Sequence, residues 1–197
     1  MTFVERRDSP AASPVGLRKS GPATLIGYAA VFNSLSGDLG GFRERIAPGA
    51  FRDAIRRDDV RVLLNHDPNF VIGRTASGTL RLREDRVGLH IEIDADPDDP
   101  IVAGFVLNPI RRGDLTQMSF AFSLSRDGSG EDWSNVGGEL VRTILKVDRL
   151  FDVSPVTYPA YDKTNIGLFD SAPRRSASGG RSAAQARREL EELIAGI

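Results

Sequence analysis

The sequence contains no cysteine and only two histidines among its 197 residues. Without cysteine the chain can form no disulfide, no thiolate nucleophile and no cysteine-ligated zinc site. No apolar run approaches the roughly 18 residues that a membrane-spanning helix needs, and the N-terminus lacks the apolar segment of a secretory signal. The formal net charge is -1, whereas general nucleic-acid binders usually carry a basic excess. We therefore expect a soluble intracellular protein that binds neither nucleic acid nor a membrane.

Short stretches in which apolar and polar residues alternate fill the middle of the chain. At least seven short strands are predicted in this way, with two or three short helices and no regular alternation of strands with helices. One helix is predicted to begin at Pro100, to end or kink at Pro109, and to bury Ile101, Val102, Phe105 and Val106. The predicted fold class is mainly β with attached α: a small closed antiparallel β-barrel flanked by short helices.

The two ends of the chain lack this alternation. Residues 1–20 mix arginine, serine and proline and are predicted to be a flexible N-terminal arm. The barrel domain is assigned to residues 21–170. Residues 171–181 are rich in serine, alanine, glycine and arginine, which is typical of a linker. Residues 182–197 begin with a capping-box pattern and form a predicted C-terminal amphipathic helix, which needs a surface on this chain or on a partner.

Three polar residues, far apart in the sequence, are candidates for one catalytic site. Ser119 lies on the polar side of a predicted strand whose other side is Met118, Phe120, Phe122 and Leu124. His66 follows directly on a predicted strand, and Asp152 lies on the polar side of another. A serine hydroxyl needs a base within hydrogen-bond reach, and the base needs a third group to orient it. The other histidine, His90, is interpreted as a solvated residue in mid-strand.

Six motifs are spread over about residues 23–169. They are Gly27-Tyr28-Ala29-Ala30-Val31-Phe32, Glu44-Arg45-Ile46-Ala47-Pro48-Gly49-Ala50-Phe51, Leu63-Leu64-Asn65-His66-Asp67, Gly73-Arg74-Thr75, Gln117-Met118-Ser119-Phe120-Ala121-Phe122 and Asp152-Val153-Ser154-Pro155-Val156-Thr157-Tyr158-Pro159-Ala160. Together and in this order they resemble the prohead (capsid-maturation) serine protease family of tailed phages. The fold of that family is similar to that of herpesvirus assemblin, which implies a closed β-barrel ringed by helices.

The resemblance implies a role for each candidate residue. The histidine of the Leu-Asn-His-Asp motif, His66, would be the general base, and the serine of the Met-Ser-Phe motif, Ser119, the nucleophile. The acid that opens the Val-Ser-Pro-Val motif, Asp152, would be the third member. Many relatives have glutamate there, so Asp148 and Asp67 remain competitors. Oxyanion donors are expected among backbone amides of the loop after Asp152, and neither a metal nor a cofactor is required.

The resemblance also implies a biological role. Such a serine endopeptidase would cleave the scaffolding segment of the major capsid protein, and itself, inside the immature capsid in the bacterial cytoplasm. The 171–181 segment is either a self-cleavage region or an uncut tether, and self-association into a homo-oligomer is left open. Two alternatives remain: a catalytically inert barrel that acts as a capsid assembly or scaffold factor, and a small-ligand-binding barrel in which Ser119 lines a wet lumen.

Overall fold

The computed structural model describes residues 5–9, 23–158, 161 and 163–168. Within these ranges the strands are β1 (Glu5–Ser9), β2 (Ala23–Val31), β3 (Arg43–Ile46), β4 (Arg61–Leu64), β5 (Asp67–Arg74), β6 (Leu80–Glu84), β7 (Gly88–Ala95), β8 (Gln117–Ser123), β9 (Glu131–Val136), β10 (Glu139–Ile144), β11 (Arg149–Val156) and β12 (Asn165–Leu168). The helical segments are α1 (Ala54–Arg57), α2 (Pro100–Val102), a π-helical turn (Ala103–Leu107) and α3 (Asn108–Arg112).

Parts of the predicted domain division fall beyond these ranges. The predicted linker, residues 171–181, and the predicted C-terminal helix, residues 182–197, lie outside the described residues. At the other end, β1 occupies residues 5–9, within the segment predicted to be a flexible arm. No helix among the described residues is long and apolar enough to cross a membrane.

The strands of the described chain form three sheets. Their orders are β1-β8-β11-β4-β5, β3-β10-β9 and β12-β2-β7-β6. The prediction of a mainly β protein with few helices is therefore confirmed, but the prediction of a closed antiparallel barrel is wrong. Each sheet ends in two edge strands, and the pairs β4–β11 and β3–β10 are parallel. Alternation along one strand predicts its buried face, whereas the partner, direction and closure depend on pairings made between distant segments.

The sheets share one apolar core, to which β8 contributes its central side chains. Met118, Phe120 and Phe122 are fully buried, as their alternation predicts. The rings of Phe51 and Phe120 meet edge to face, with centroids 5.2 Å apart and an interplanar angle of 87°. Because buried aromatic side chains dominate core energetics, these contacts hold β8 with its odd-numbered residues on the opposite side.

The helix that begins at Pro100 differs from the prediction. It continues to Arg112, and the wide π-helical turn falls immediately before Pro109, which has no amide to donate. Val102 and Val106 are buried as predicted, but Ile101 and Phe105 are 48% and 62% exposed. Leu107 and Ile110 lie in the core instead. The face that packs on the core is therefore rotated toward Leu107 and Ile110, and of the four predicted positions it includes only Val102 and Val106.

The pairing of β12 with β2 requires a glycine. Gly27 lies opposite Ile166, next to the pair Tyr28–Asn165. A Cβ atom added to Gly27 would lie 1.9 Å from the backbone oxygen of Asn165. Real Cβ atoms do not approach an oxygen so closely, so any larger residue would push β12 away from β2.

We expect Gly27→Ala to destabilise the protein by about 2 kcal/mol or more, because backbone and not a flexible side chain must move. Gly104→Ala is the matched control. An added Cβ at Gly104 meets nothing within 4 Å, and alanine in a helix is expected to gain about 0.5–1 kcal/mol over glycine. Urea unfolding of both variants measures the difference, and equal unfolding midpoints would contradict the close approach.

Candidate active site

Ser119 lies on β8, the second strand of the five-stranded sheet. The antiparallel register of β8 with β11 places Ser119 directly opposite Ser154 and places Phe120 opposite Val153. Phe120 and Val153 belong to the core. Ser119 and Ser154 therefore lie on the other face of the same pair of strands, where both are fully buried.

A β-bulge in β11 sets the position of Asp152. The register with β8 passes from Leu150 directly to Asp152, so that Phe151 is the extra residue. Leu150 and Val153 both lie in the core, whereas Phe151 is only half-buried. The bulge explains why Leu150 interrupts the alternation of this stretch, and it leaves Asp152 on the face that carries Ser119.

A two-residue turn between β4 and β5 holds His66. Asn65 and His66 have φ angles of 51° and 60°, both in the left-handed region. Leu64 and Asp67 pair on either side of them, so the turn has the two positive φ angles of a type I′ hairpin. β4 runs parallel to β11 with Arg61 opposite Asp152. The chain therefore reaches the turn beside the end of β11, and His66 lies over the sheet face.

Asn65 fastens this turn to β11. Its amide donates to the Pro155 carbonyl (2.9 Å), and its side-chain oxygen accepts from the Thr157 amide (2.8 Å). Its side-chain nitrogen lies 3.3 Å from Thr157 Oγ1. Asparagine also tolerates the left-handed region better than most residues. Sequence reasoning missed the role of Asn65, although an asparagine at the end of a strand is a turn signal.

The structure brings the three predicted site residues together. His66 Nδ1 lies 2.6 Å from Asp152 Oδ1, and His66 Nε2 is hydrogen-bonded to Ser119 Oγ. Ser154 Oγ donates to the same Asp152 oxygen at 2.5 Å. His66 is 7% exposed and Asp152 is 5% exposed. Sequence reasoning missed Ser154, although it has the same strand parity as Asp152. The result is an imidazole placed between an alcohol and a carboxylate.

The competing acids lie in other surroundings. Asp67 Oδ1 accepts hydrogen bonds from the backbone and side-chain nitrogens of Asn69, at 2.9 and 2.8 Å. Asp148 is exposed, and its amide donates to the Ser123 carbonyl. The carboxylate at 2.6 Å from His66 Nδ1 is that of Asp152.

The structure also differs from the sequence analysis in the extent of β11 and in the surroundings of His90. The backbone directly after Asp152 is not a loop, because β11 remains paired with β8 as far as Val156. The next amide, that of Thr157, donates to Asn65, and the expectation that oxyanion donors lie in the loop that follows stays a prediction. His90 is not solvated: β7 lies between β2 and β6, and the imidazole is 8% exposed, edge-on to Tyr28 at 5.3 Å.

The described residues include no group of three or more histidine, aspartate or glutamate side chains placed to hold a metal ion.

Asp58 is a buried carboxylate close to the start of β11. It accepts from the Leu150 amide (2.8 Å) and pairs with the guanidinium groups of Arg57 (2.8 Å) and Arg149 (3.1 Å). Burial alone would raise the pKa of Asp58, but the Arg57 and Leu150 hydrogen bonds outweigh it and leave the pKa below its usual value. Asp58 thereby anchors the strand that carries Asp152.

A hydroxyl, an imidazole and a carboxylate in hydrogen-bonded series are the arrangement used by serine peptidases on several unrelated folds. The class that the fold and site define is thus a mainly β serine peptidase. The family model for the caudovirus prohead serine protease matches residues 14–176, and the chain belongs to that family. Comparison with curated proteins and with solved structures finds no match. The protein is a serine peptidase of phage capsid maturation and acts on capsid proteins, as the sequence motifs predict.

We expect Asn65→Ala to destabilise the protein more than Asn65→Gly does. Both changes remove the side-chain contacts with Thr157, worth about 1 kcal/mol for a hydrogen bond. Only alanine also meets the steric cost of the left-handed conformation, roughly 1–2 kcal/mol. Urea unfolding of the two variants gives the difference directly. An equal loss in both would show that the positive φ is not retained in solution.

We expect Asp58→Asn to change how stability depends on pH. Because the folded-state pKa is below the unfolded value of 3.8, the Asp58 carboxylate stabilises the fold above that pH and ceases to do so as the pH falls through the folded pKa. The stability difference between wild type and Asp58→Asn should therefore shrink below about pH 4. Thermal melts from pH 6 to pH 2 measure it, with the exposed Asp132→Asn as control. Parallel curves for wild type and Asp58→Asn would rule out this anchor.

Proposed function

We propose that Ser119 is the nucleophile, His66 the general base and Asp152 the orienting acid of this peptidase. The observation that carries the proposal is the unbroken series of contacts from Ser119 Oγ through the His66 ring to Asp152 Oδ1. All three groups are nearly withdrawn from water. Such burial strengthens electrostatic interactions between them. Asp152 is one methylene shorter than the glutamate of many relatives. Its Oδ1 nevertheless lies 2.6 Å from His66 Nδ1, which supports its role as the orienting acid.

The proposed reaction is acyl transfer. Ser119 Oγ attacks the carbonyl carbon of a peptide bond while His66 Nε2 takes the hydroxyl proton. His66 then gives that proton to the leaving amine as the C–N bond breaks, and the acyl group remains on Ser119. Water repeats the cycle, with His66 taking its proton, and releases the carboxylic acid. Asp152 accepts from His66 Nδ1–H throughout, which selects the tautomer whose Nε2 faces Ser119 and stabilises the imidazolium.

Ser154 has a supporting place in this scheme. Its hydroxyl donates to the Asp152 oxygen that also contacts His66. A second donor on one carboxylate oxygen holds the rotamer of Asp152. Ser154 is thus a positioning residue that acts through Asp152 and does not touch the reacting atoms.

The proposed substrate is the scaffolding segment of the major capsid protein, cleaved inside the prohead in the cytoplasm of the bacterial host. Membership of the caudovirus prohead serine protease family supports this choice. Self-cleavage within residues 171–181, a stretch of small residues and arginines, belongs to the same proposal. So does assembly of several copies of the chain in the capsid interior.

A fluorophosphonate probe tests the three residues. We expect wild type to be labelled on serine, and Ser119→Ala and His66→Gln to lose labelling. Asp152→Asn should react about 10³–10⁴-fold more slowly, the loss that follows when the orienting acid of such a site becomes an amide. Asp148→Asn is the matched control and should react like wild type. A folded wild type that never labels would favour the inert assembly factor, and equal rates for Asp152→Asn and Asp148→Asn would reject Asp152.

The proposed substrate is tested by co-expression with the major capsid protein of the same phage. Wild type should shorten the capsid protein, and Ser119→Ala should leave it whole, as mass spectrometry of the purified shells would show. Labelling of Ser119 without any shortening would keep the peptidase and reject this substrate. The same spectra report whether residues 171–181 are cut.

A further inference from the structure

The strand beside Ser119 on its outer side comes from the N-terminus of the same chain. β1 pairs antiparallel with β8 and forms the edge of the five-stranded sheet. In this register Asp8 lies opposite Ser119, and Arg7 lies opposite Phe120. The backbone of residues 5–9 therefore runs alongside the proposed nucleophile. β1 also lies before residue 14, where the match to the protease family begins.

The hydrogen-bonding groups of β8 that face this edge can be assigned. Met118 lies opposite Pro155, which has no amide, and its own N–H and C=O both engage Thr164 Oγ1 at 3.1 Å. Met118 thus directs its backbone groups away from β11. Backbone direction alternates along a strand, so Phe120 also points its N–H and C=O outward, to Arg7 of β1. Ser119 points its backbone toward Ser154.

This geometry places a peptide backbone where a substrate would have to lie. Ser119 and Asp8 are an antiparallel pair of the type without mutual hydrogen bonds, in which the Cα atoms lie about 4.5 Å apart. The peptide bonds on either side of Asp8 are therefore next to the residue that carries the hydroxyl. Extended peptides commonly bind by adding a strand to a sheet edge, with main-chain hydrogen bonds supplying affinity.

We infer that the outer edge of β8 receives the extended substrate chain, and that Glu5–Ser9 occupies this edge as an autoinhibitory strand. The inference rests on the proposed function, because it takes Ser119 as the nucleophile. One row of backbone groups on β8 pairs with one strand at a time. Substrate binding then requires β1 to leave the edge of β8. Until it leaves, the N-terminal strand inhibits the peptidase activity of its own chain.

A pair of proline variants of the full chain tests this inference. Arg7→Pro removes the N–H that bonds to Phe120, whereas Arg6→Pro removes an N–H that points away from β8, a position where edge strands tolerate proline. Cleavage of fluorescein-labelled casein, an unfolded polypeptide, reports access to the edge. We expect Arg7→Pro to cleave about fivefold faster than wild type, the effect of one lost hydrogen bond. Arg6→Pro should stay within about twofold of wild type.

Fluorophosphonate labelling separates this inference from the proposed function. The probe needs no strand pairing, so both proline variants should label at the wild-type rate. A synthetic peptide of residues 1–12, added to Arg7→Pro, should slow casein cleavage without slowing labelling. If Ser119 does not label in any folded variant, the proposed function has failed. If all variants label but Arg7→Pro cleaves casein no faster than Arg6→Pro, the inference is overturned and the peptidase stands.

A deletion of residues 1–9 guards against misfolding of the proline variant. The deletion leaves the whole family match in place, and it should cleave casein at least as fast as Arg7→Pro. Circular dichroism and thermal melts of each variant report folding. Unfolding of both Arg7→Pro and the deletion would show that β1 is an integral strand of the fold, which would also overturn the inference.

Discussion

The antiparallel ladder between β8 and β11 is the constraint on which the site depends. It sets Ser119 opposite Ser154 on one face and Phe120 opposite Val153 on the other. A slip by one residue would exchange the two faces and bring Phe120 out of the core. Burial of each large apolar side chain contributes roughly 1.5–3 kcal/mol. Met118, Phe120 and Phe122 thus hold the register, and the position of Ser119 follows from them.

The position of His66 depends on a balance between backbone strain in its turn and the hydrogen bonds made by Asn65. Two consecutive non-glycine residues in the left-handed region cost roughly 1–2 kcal/mol each, although asparagine pays less than most. The bonds from Asn65 to Pro155 and Thr157 offset this cost at about 1 kcal/mol apiece. They join the turn to β11, the strand that also carries Asp152. β11 therefore holds both His66 and Asp152, and the distance between these two side chains does not depend on a free loop.

Strand periodicity predicted which side of β8 faces the apolar core, although both sides of the strand are buried, and it placed Ser119 and Asp152 on the faces opposite that core. Periodicity gave wrong predictions where burial or pairing depends on a neighbouring strand. His90 shares a strand face with Glu92 and Asp94, which predicts a solvated side chain, yet Tyr28 of the neighbouring β2 lies opposite it and packs against its ring. Alternation with Val153 would place Phe151 in the core, whereas the bulge places Leu150 there, and a bulge depends on the partner strand. The closed barrel was wrong for the same reason, since pairing partners are not visible along one strand.

The amino-acid sequence by itself determined the family, the mainly β class and the three residues considered for the site, because these depend on residue types and on local alternation. The tertiary structure alone decided that β4 lies beside β11, that Asn65 and Ser154 support the site, and that β1 covers the edge of β8. Apart from the local contact between Ser154 and Asp152, these are contacts between segments tens of residues apart. Short-range patterns carry no information on which distant segments pair, since that choice is made by the shared core and the sheet register.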